Sequence, residues 1–308
     1  MRRRSALAFL IATALVPLPA LAGIDDILEA VKQSEFTFAR TTSDVPFFPL
    51  GWLQNTRYSA ATFTDEDGVR PSANVSENTF SVGAVLPTYV AKRDMFLLGG
   101  DLDWDRIDVN TGPYQDQRVL RLTPMAAWLH QFGAFETVGA FIAPIFSQET
   151  RASQGWSTNG YAGIVGIHWY SNQLQLMYGG VYEYSFGSHN LYPYLGLQWL
   201  PIRQLSVALV IPWPTISYVL NPRWMLQLAM SPGGSSWVQR GDGYESVQSL
   251  GSWNLSAYSA YRVYGSLWLS AGAGIAGLRG FTVATGSTES RFESDRSAVF
   301  TLALQFRP

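Results

Sequence analysis

The 308-residue sequence has no cysteine. No disulfide can staple the fold, and no thiolate can serve as nucleophile or metal ligand. Histidine occurs three times, never with a second histidine at ligand spacing, which leaves no zinc site of the usual kind. Charge is scarce, at 14 % of residues against about 25 % in soluble domains. The 21 basic and 23 acidic side chains form no basic stripe, so nucleic acid is not an expected partner. Beyond the first 22 residues no apolar stretch reaches the roughly 20 residues that a membrane-crossing helix needs, which excludes an all-helical membrane protein. There is no phosphate-cradling glycine loop or cofactor fingerprint, so no cofactor is expected.

What is present begins with Arg2, Arg3 and Arg4, an apolar run from Ala6 to Val16, and Ala20-Leu21-Ala22 as a small-x-small site. This is the pattern of a secretory signal peptide over residues 1–22, cleaved after Ala22. Residues 23–50 are expected to form a periplasmic helix and linker. Ile24, Ile27, Leu28 and Val31 recur at helical spacing, and Thr37 to Leu50 carries Pro46 and Pro49. The helix reads as a solvated leader or as a plug.

From residue 51 to residue 308 the pattern changes to period two, the signature of strands with unlike faces. In Ser297 to Phe306, Phe300, Leu302, Leu304 and Phe306 form a greasy row, while Ser297, Thr301 and Gln305 lie opposite. Fourteen such segments are expected, at 52–63, 77–88, 94–106, 117–130, 135–147, 159–170, 173–186, 191–200, 204–211, 214–220, 224–230, 251–261, 266–278 and 297–306. Losing a weak pair would leave twelve. Tight turns alternate with longer polar links, among them Ser231–Leu250 and Arg279–Arg296. The link Pro212-Trp213-Pro214 is short where a long one is due, so the wall there is expected to be low. Eleven Trp and fifteen Tyr suit two interfacial aromatic belts. On this reading Tyr182 and Tyr184 mark the outer interface, and Trp169 and Trp199 the inner one. The fold class is therefore all-β, a transmembrane antiparallel up-and-down β-barrel with a short N-terminal helix.

The sharpest polar feature is Gly99-Gly100-Asp101-Leu102-Asp103-Trp104-Asp105-Arg106. Asp101, Asp103 and Asp105 share one face, about 7 Å apart, with Leu102 and Trp104 on the other. Lumen carboxylates attract cations, and Arg118 and Arg121 at the start of the next strand are expected as their partners. An acidic pair also occurs in the omptin proteases, but the Asp-x-His that completes that site is missing. Ser188-His189-Asn190 has the residue types of a lipase triad, yet three consecutive residues cannot converge. His130 and His168 are expected at strand ends on the tight-turn side. Asp65-Glu66-Asp67, and the Glu289 to Arg296 cluster, are candidates for divalent cations or lipopolysaccharide phosphates. Tyr192, Tyr194, Tyr258 and Trp268 fall on the inward rows and would narrow a lumen.

The stretch Tyr192 to Trp237 runs YPYLGLQWLPIRQLSVALVIPWPTISYVLNPRWMLQLAMSPGGSSW. Its Pro-x-Pro-x-Ile-x-Tyr, Asn-Pro turn and Ser-Pro-Gly-Gly-Ser-x-Trp resemble a family of bacterial outer-membrane barrels known as a domain of unknown function, DUF6268. The resemblance implies an outer-membrane barrel and carries no catalytic residues. Arg307-Pro308 follow the terminal aromatic on which such barrels usually end. The expected function is a passive, porin-like channel for small solutes. A non-conducting structural, adhesive or accessory barrel is the alternative, and a lipid- or peptide-acting hydrolase a third class. Lipids, lipopolysaccharide and the barrel assembly machinery are the expected partners, with oligomeric state open.

Overall fold

The computed structural model describes residue 29 and residues 43–46, 48–111, 115–151, 155–185, 188–241, 244–286 and 288–307. The expected signal peptide and, apart from Glu29, the expected helix lie outside them. The strands are β1 (Gly51–Asp65), β2 (Ala73–Val90), β3 (Asp94–Thr111), β4 (Gln117–Phe132) and β5 (Glu136–Glu149). Next come β6 (Ser157–Trp169), β7 (Leu174–Ser185), β8 (Ser188–Ile202), β9 (Leu205–Ile211) and β10 (Thr215–Asn221). The last are β11 (Trp224–Gly241), β12 (Tyr244–Tyr264), β13 (Leu267–Thr285), β14 (Thr288–Ser294) and β15 (Ser297–Phe306).

From β1 to β14 each strand pairs antiparallel with the next, and β15 returns to β1, with Gly51 opposite Phe306 and Tyr58 opposite Val299. The ring is closed. β14 and β15 are one wall strand interrupted at Asp295-Arg296, because both lie between β13 and β1. The barrel therefore has fourteen wall positions. Closure joins the first and last wall strands and so removes the two edges of an open sheet, although the loop-end parts of β8 and β11 outgrow β9 and β10.

The outward rows are apolar all round. Leu98, Leu122, Ile142, Ile164, Leu195, Leu209, Leu228, Leu255, Leu269 and Phe300 are all exposed. In water each would forfeit about 1.5–3 kcal/mol of burial, and a sleeve this continuous suits hydrocarbon. No helix among the described residues is long and apolar enough to cross a membrane. The inward rows carry small and polar residues, including Gln131, Thr137, Gln175, Ser206, Ser217, Ser256 and Ser270, all buried. Phe96, Trp128, Phe132, Tyr170, Trp199, Trp224 and Tyr261 form an exposed girdle near the tight turns. Trp169 is a correction: it is buried, on the inward row it shares with Ser157 and Asn159.

All fourteen expected segments are strands, but two expected loops are also strand. β11 and β12 pair without interruption from Trp224 opposite Tyr261 to Gly241 opposite Tyr244. β13 likewise continues to Thr285 against β14. The reason is compositional: serine, glycine and glutamine on an inward-facing row look like loop residues when greasy alternation is the guide. Between β8 and β11 the wall drops. β9 and β10 have seven residues each, against eighteen in β11 and twenty-one in β12. Seven residues at ~3.4 Å, tilted about 40°, rise only ~18 Å, less than the ~25 Å of a usual apolar band.

Candidate functional site

Fourteen strands spaced ~4.8 Å and tilted ~40° would enclose a circular section roughly 28 Å across. The section is not circular. Arg121 on β4 donates from Nη1 to the carbonyl oxygen of Gly234 on β11 at 2.9 Å. These strands are seven positions apart in the ring, that is, opposite each other. An arginine side chain cannot span a round lumen of that size, so the loop-end half is pinched together.

Local sequence explains how. Above Met230, whose amide bonds to Pro214, β11 has outgrown β10 and lacks a partner on that side. Freed there, it leans across the lumen. The segment Ser231-Pro232-Gly233-Gly234 lets it approach. A Cβ at Gly233 would stand 2.7 Å from Asn254 Nδ2 and 2.9 Å from Tyr58 Oη, and Gly234 has φ of 132°, where side chains are strained. Asn254 donates to Tyr58 Oη at 2.9 Å, linking β12 to β1 under the pinch. Glu77 and Arg279 add a buried ion pair at 2.5 Å. The Arg279 guanidinium lies 4.9 Å from the Tyr58 ring centre and 5.4 Å from that of Phe63.

The pinch separates two lobes. One, enclosed by β1–β4 and β11–β14, is filled at the loop end by Ala61, Phe63, Ile107, Val119, Trp237, Leu250 and Phe292. The other is a bay bounded by β5–β8 and β11, with the low wall of β9–β10 on its open side. Tyr161, Glu183, Tyr192 and Tyr194 lie on its inward rows. Tyr192 donates to Glu183 at 2.7 Å, and Tyr194 packs on Trp213 at the rim, 6.4 Å between ring centres.

Asp101, Asp103, Asp105 and Arg121 share the inward face beside the pinch. Arg121 grips Asp103 Oδ2 through Nε at 3.0 Å and Nη2 at 2.6 Å. Asp105 accepts from Thr79 Oγ1 at 2.7 Å. Arg118 is a correction: it pairs with Asp108 at 2.8 Å, opposite Arg106 in the register and on the outward face. Positions 118 and 121 differ by an odd number, so one strand cannot turn both inward.

At the tight-turn end residues 43–46 and 48–50 form a strap. The Asp44 amide bonds to the Arg203 carbonyl at 2.7 Å, and its carboxylate meets the Arg203 guanidinium at 3.1 Å. Val45 packs on the inward-facing Val219, Met225, Ala260 and Trp268. The Leu50 amide then bonds to the Phe306 carbonyl at 2.9 Å. Arg203 closes the β8–β9 turn, across the ring from β1, so the strap spans that mouth. No expectation anticipated it, although Val45 between Asp44 and Pro46 was the available signal.

The other expected features are used locally. His130 and His168 sit on outward rims against Asp94 at 2.9 Å and Glu136 at 2.6 Å. His189 lies between the rings of Tyr182 and Tyr184, centres 5.9 and 5.3 Å away. Asp65 Oδ2 accepts from the amides of Val69 and Arg70 at 3.0 and 2.8 Å, and Glu289 pairs with Arg291 at 2.8 Å. In the β3–β4 link, the Val109 amide and the nearby Arg151 hold the Asp116 carboxyl below its usual range. Among the described residues no cluster of His, Asp or Glu is arranged to hold a metal. The inward glycine Gly272 accommodates a ring rather than a plug: a Cβ there would run into Tyr258 of β12.

Residues 138–307 match the model of a family described as a domain of unknown function, DUF6268. None of the curated proteins matches the sequence. Among solved structures, an outer membrane channel from Pseudomonas putida F1 aligns at 12 % identity and TM-score 0.47, over 84 % of this chain and 96 % of that one. The translocator domain of the autotransporter NalP from Neisseria meningitidis aligns at 11 % identity and TM-score 0.37, over 84 % and 89 %. The KdgM porin aligns at 7 % identity and TM-score 0.32, over 83 % and 98 %.

Proposed function

The chain belongs to the DUF6268 family, and because that membership assigns no activity, we propose from its own geometry that it is a narrow outer-membrane channel for small solutes. The apolar sleeve and the girdle near the tight turns support a bilayer setting with those turns in the periplasm. The observation that carries the reading is the hydrogen bond from Arg121 to Gly234 at 2.9 Å. It closes one lobe around an apolar core and leaves the polar bay as the route. Solutes pass the periplasmic strap, the polar lower lumen, the acidic face and the bay, and leave over the low wall at Pro212-Trp213-Pro214.

Reconstitution of refolded protein in a planar bilayer tests this. Discrete current steps, small for a fourteen-stranded barrel, are expected. Silent insertion, with the barrel folded, would instead favour a non-conducting structural barrel.

A further inference from the structure

The low wall of β9–β10 stops inside the apolar band. Trp199 and Trp224 are exposed in the girdle near the tight turns. The last residue of β9, Ile211, stands opposite Leu195, and the first of β10, Thr215, stands opposite Ala229. At ~3.4 Å per residue and ~40° of tilt, these levels lie only ~10–13 Å above the girdle, about half of the ~25 Å apolar band. Above them β8 and β11 continue as separate edges, because β11 leans away across the lumen. The notch between them is rimmed by Leu191, Leu195, Ile211 and Trp213, all exposed. Tyr192 and Tyr194 stand on the inward row of the same edge strand.

The chemistry of the two edges matches this height. On β8 the Leu200 amide donates to the Gln173 carbonyl, and the pairing with β7 is unbroken as far as Ser188. Even-numbered peptide groups of β8 therefore face β7, and odd-numbered ones face the notch. The first odd position above the Leu195–Ile211 pair is Pro193. On β11 the Met230 amide donates to the Pro214 carbonyl, so even-numbered groups face the notch, and the first one above it is Pro232. Proline has no N–H. The donor that lipid could not satisfy is thus absent from both edges at hydrocarbon depth. Next along β11, the Gly234 carbonyl accepts from Arg121 at 2.9 Å. Leu191, the next edge position on β8, stands ~21 Å above Trp199 and so close to the outer interface. An added partner strand would need the missing donors, so lipid chains are the occupant that these edges fit. We infer that the notch is a lateral doorway between the bay and the outer leaflet, and that the solutes of this channel are small, uncharged, mainly apolar molecules that dissolve in lipid. The inference rests on the channel reading and names its substrate class.

The test places a bimane fluorophore on single cysteines of the full protein in phospholipid vesicles. Tyr194→Cys reports on the bay, Leu302→Cys on the lipid face and Thr301→Cys on the inward face of an unnotched wall. Phosphatidylcholine brominated in its chains should quench the label at 194 at least half as strongly as at 302, and several-fold more than at 301. Two small quenchers with the same ring and bromine are then compared, 4-bromobenzyl alcohol and the charged 4-bromobenzylammonium. The alcohol should quench at 194 at least fivefold more per mole added, although the acidic face favours the cation. The inference is overturned if brominated lipid quenches at 194 no more than at 301, or if the cation quenches there as well as the alcohol. Bilayer current through Tyr194→Cys separates the two claims. Current without lipid quenching overturns the doorway alone, whereas quenching without current overturns the channel reading and, with it, the substrate class.

Discussion

Asp101, Asp103 and Asp105 are not equivalent charges once their surroundings are known. Asp103 is gripped by the Arg121 fork, so its field is largely cancelled, and Asp105 is buried against Thr79, whereas the half-buried Asp101 is the one placed to act on what passes. Low-dielectric walls focus such fields. Mild cation selectivity is therefore expected, and replacing all three with Asn should shift the reversal potential in a salt gradient towards neutrality. The shift should shrink at 1 M salt, where the Debye length is about 3 Å. An unchanged reversal potential would make the three carboxylates a purely structural patch. The ladder was legible in the sequence because Leu102 and Trp104 alternate with it. Parity alone could also have placed Arg118 outside. What no sequence pattern discloses is that Arg121 meets a carbonyl on the opposite wall, since that depends on how the ring is deformed.

Among the elements, β15 was readable in full and β11 only in half. Phe300, Leu302 and Leu304 are exposed on the outward row while Val299 and Ala303 are buried, the alternation that a lipid-facing closing strand requires. Leu302→Arg is expected to destabilise the barrel by roughly 2–4 kcal/mol near the midplane. Thr301→Arg, on the inward side beside Thr56, should cost clearly less in the same urea titration. Equal costs would mean the facing is reversed. The upper half of β11 escaped notice because Pro232-Gly233-Gly234 carries the marks of a turn, while its actual use is close approach between backbones. Gly233→Val should therefore push β11 away from Tyr58 and Asn254 and enlarge single-channel current. A current no larger than that of the unsubstituted protein would mean that the pinch does not constrict the path.

For the whole molecule, closure and the apolar sleeve predict anomalous migration of unheated protein on SDS gels and recovery in the outer-membrane fraction. Recovery as a soluble periplasmic protein would end the membrane reading. The alternation of tight turns and long links made the barrel and its strand number legible. The low wall was legible too, from Pro212-Trp213-Pro214. The two-lobed section was not, because it arises from strands of unequal length meeting across space. The absence of cysteine makes the decisive measurement clean. Single cysteines are introduced at Tyr194 in the bay and at Val283 in the filled lobe, and a charged methanethiosulfonate reagent is added during bilayer recording. If solutes pass through the bay, modification of Tyr194→Cys reduces the current strongly and Val283→Cys leaves it unchanged. Block at Val283→Cys with none at Tyr194→Cys would contradict the account.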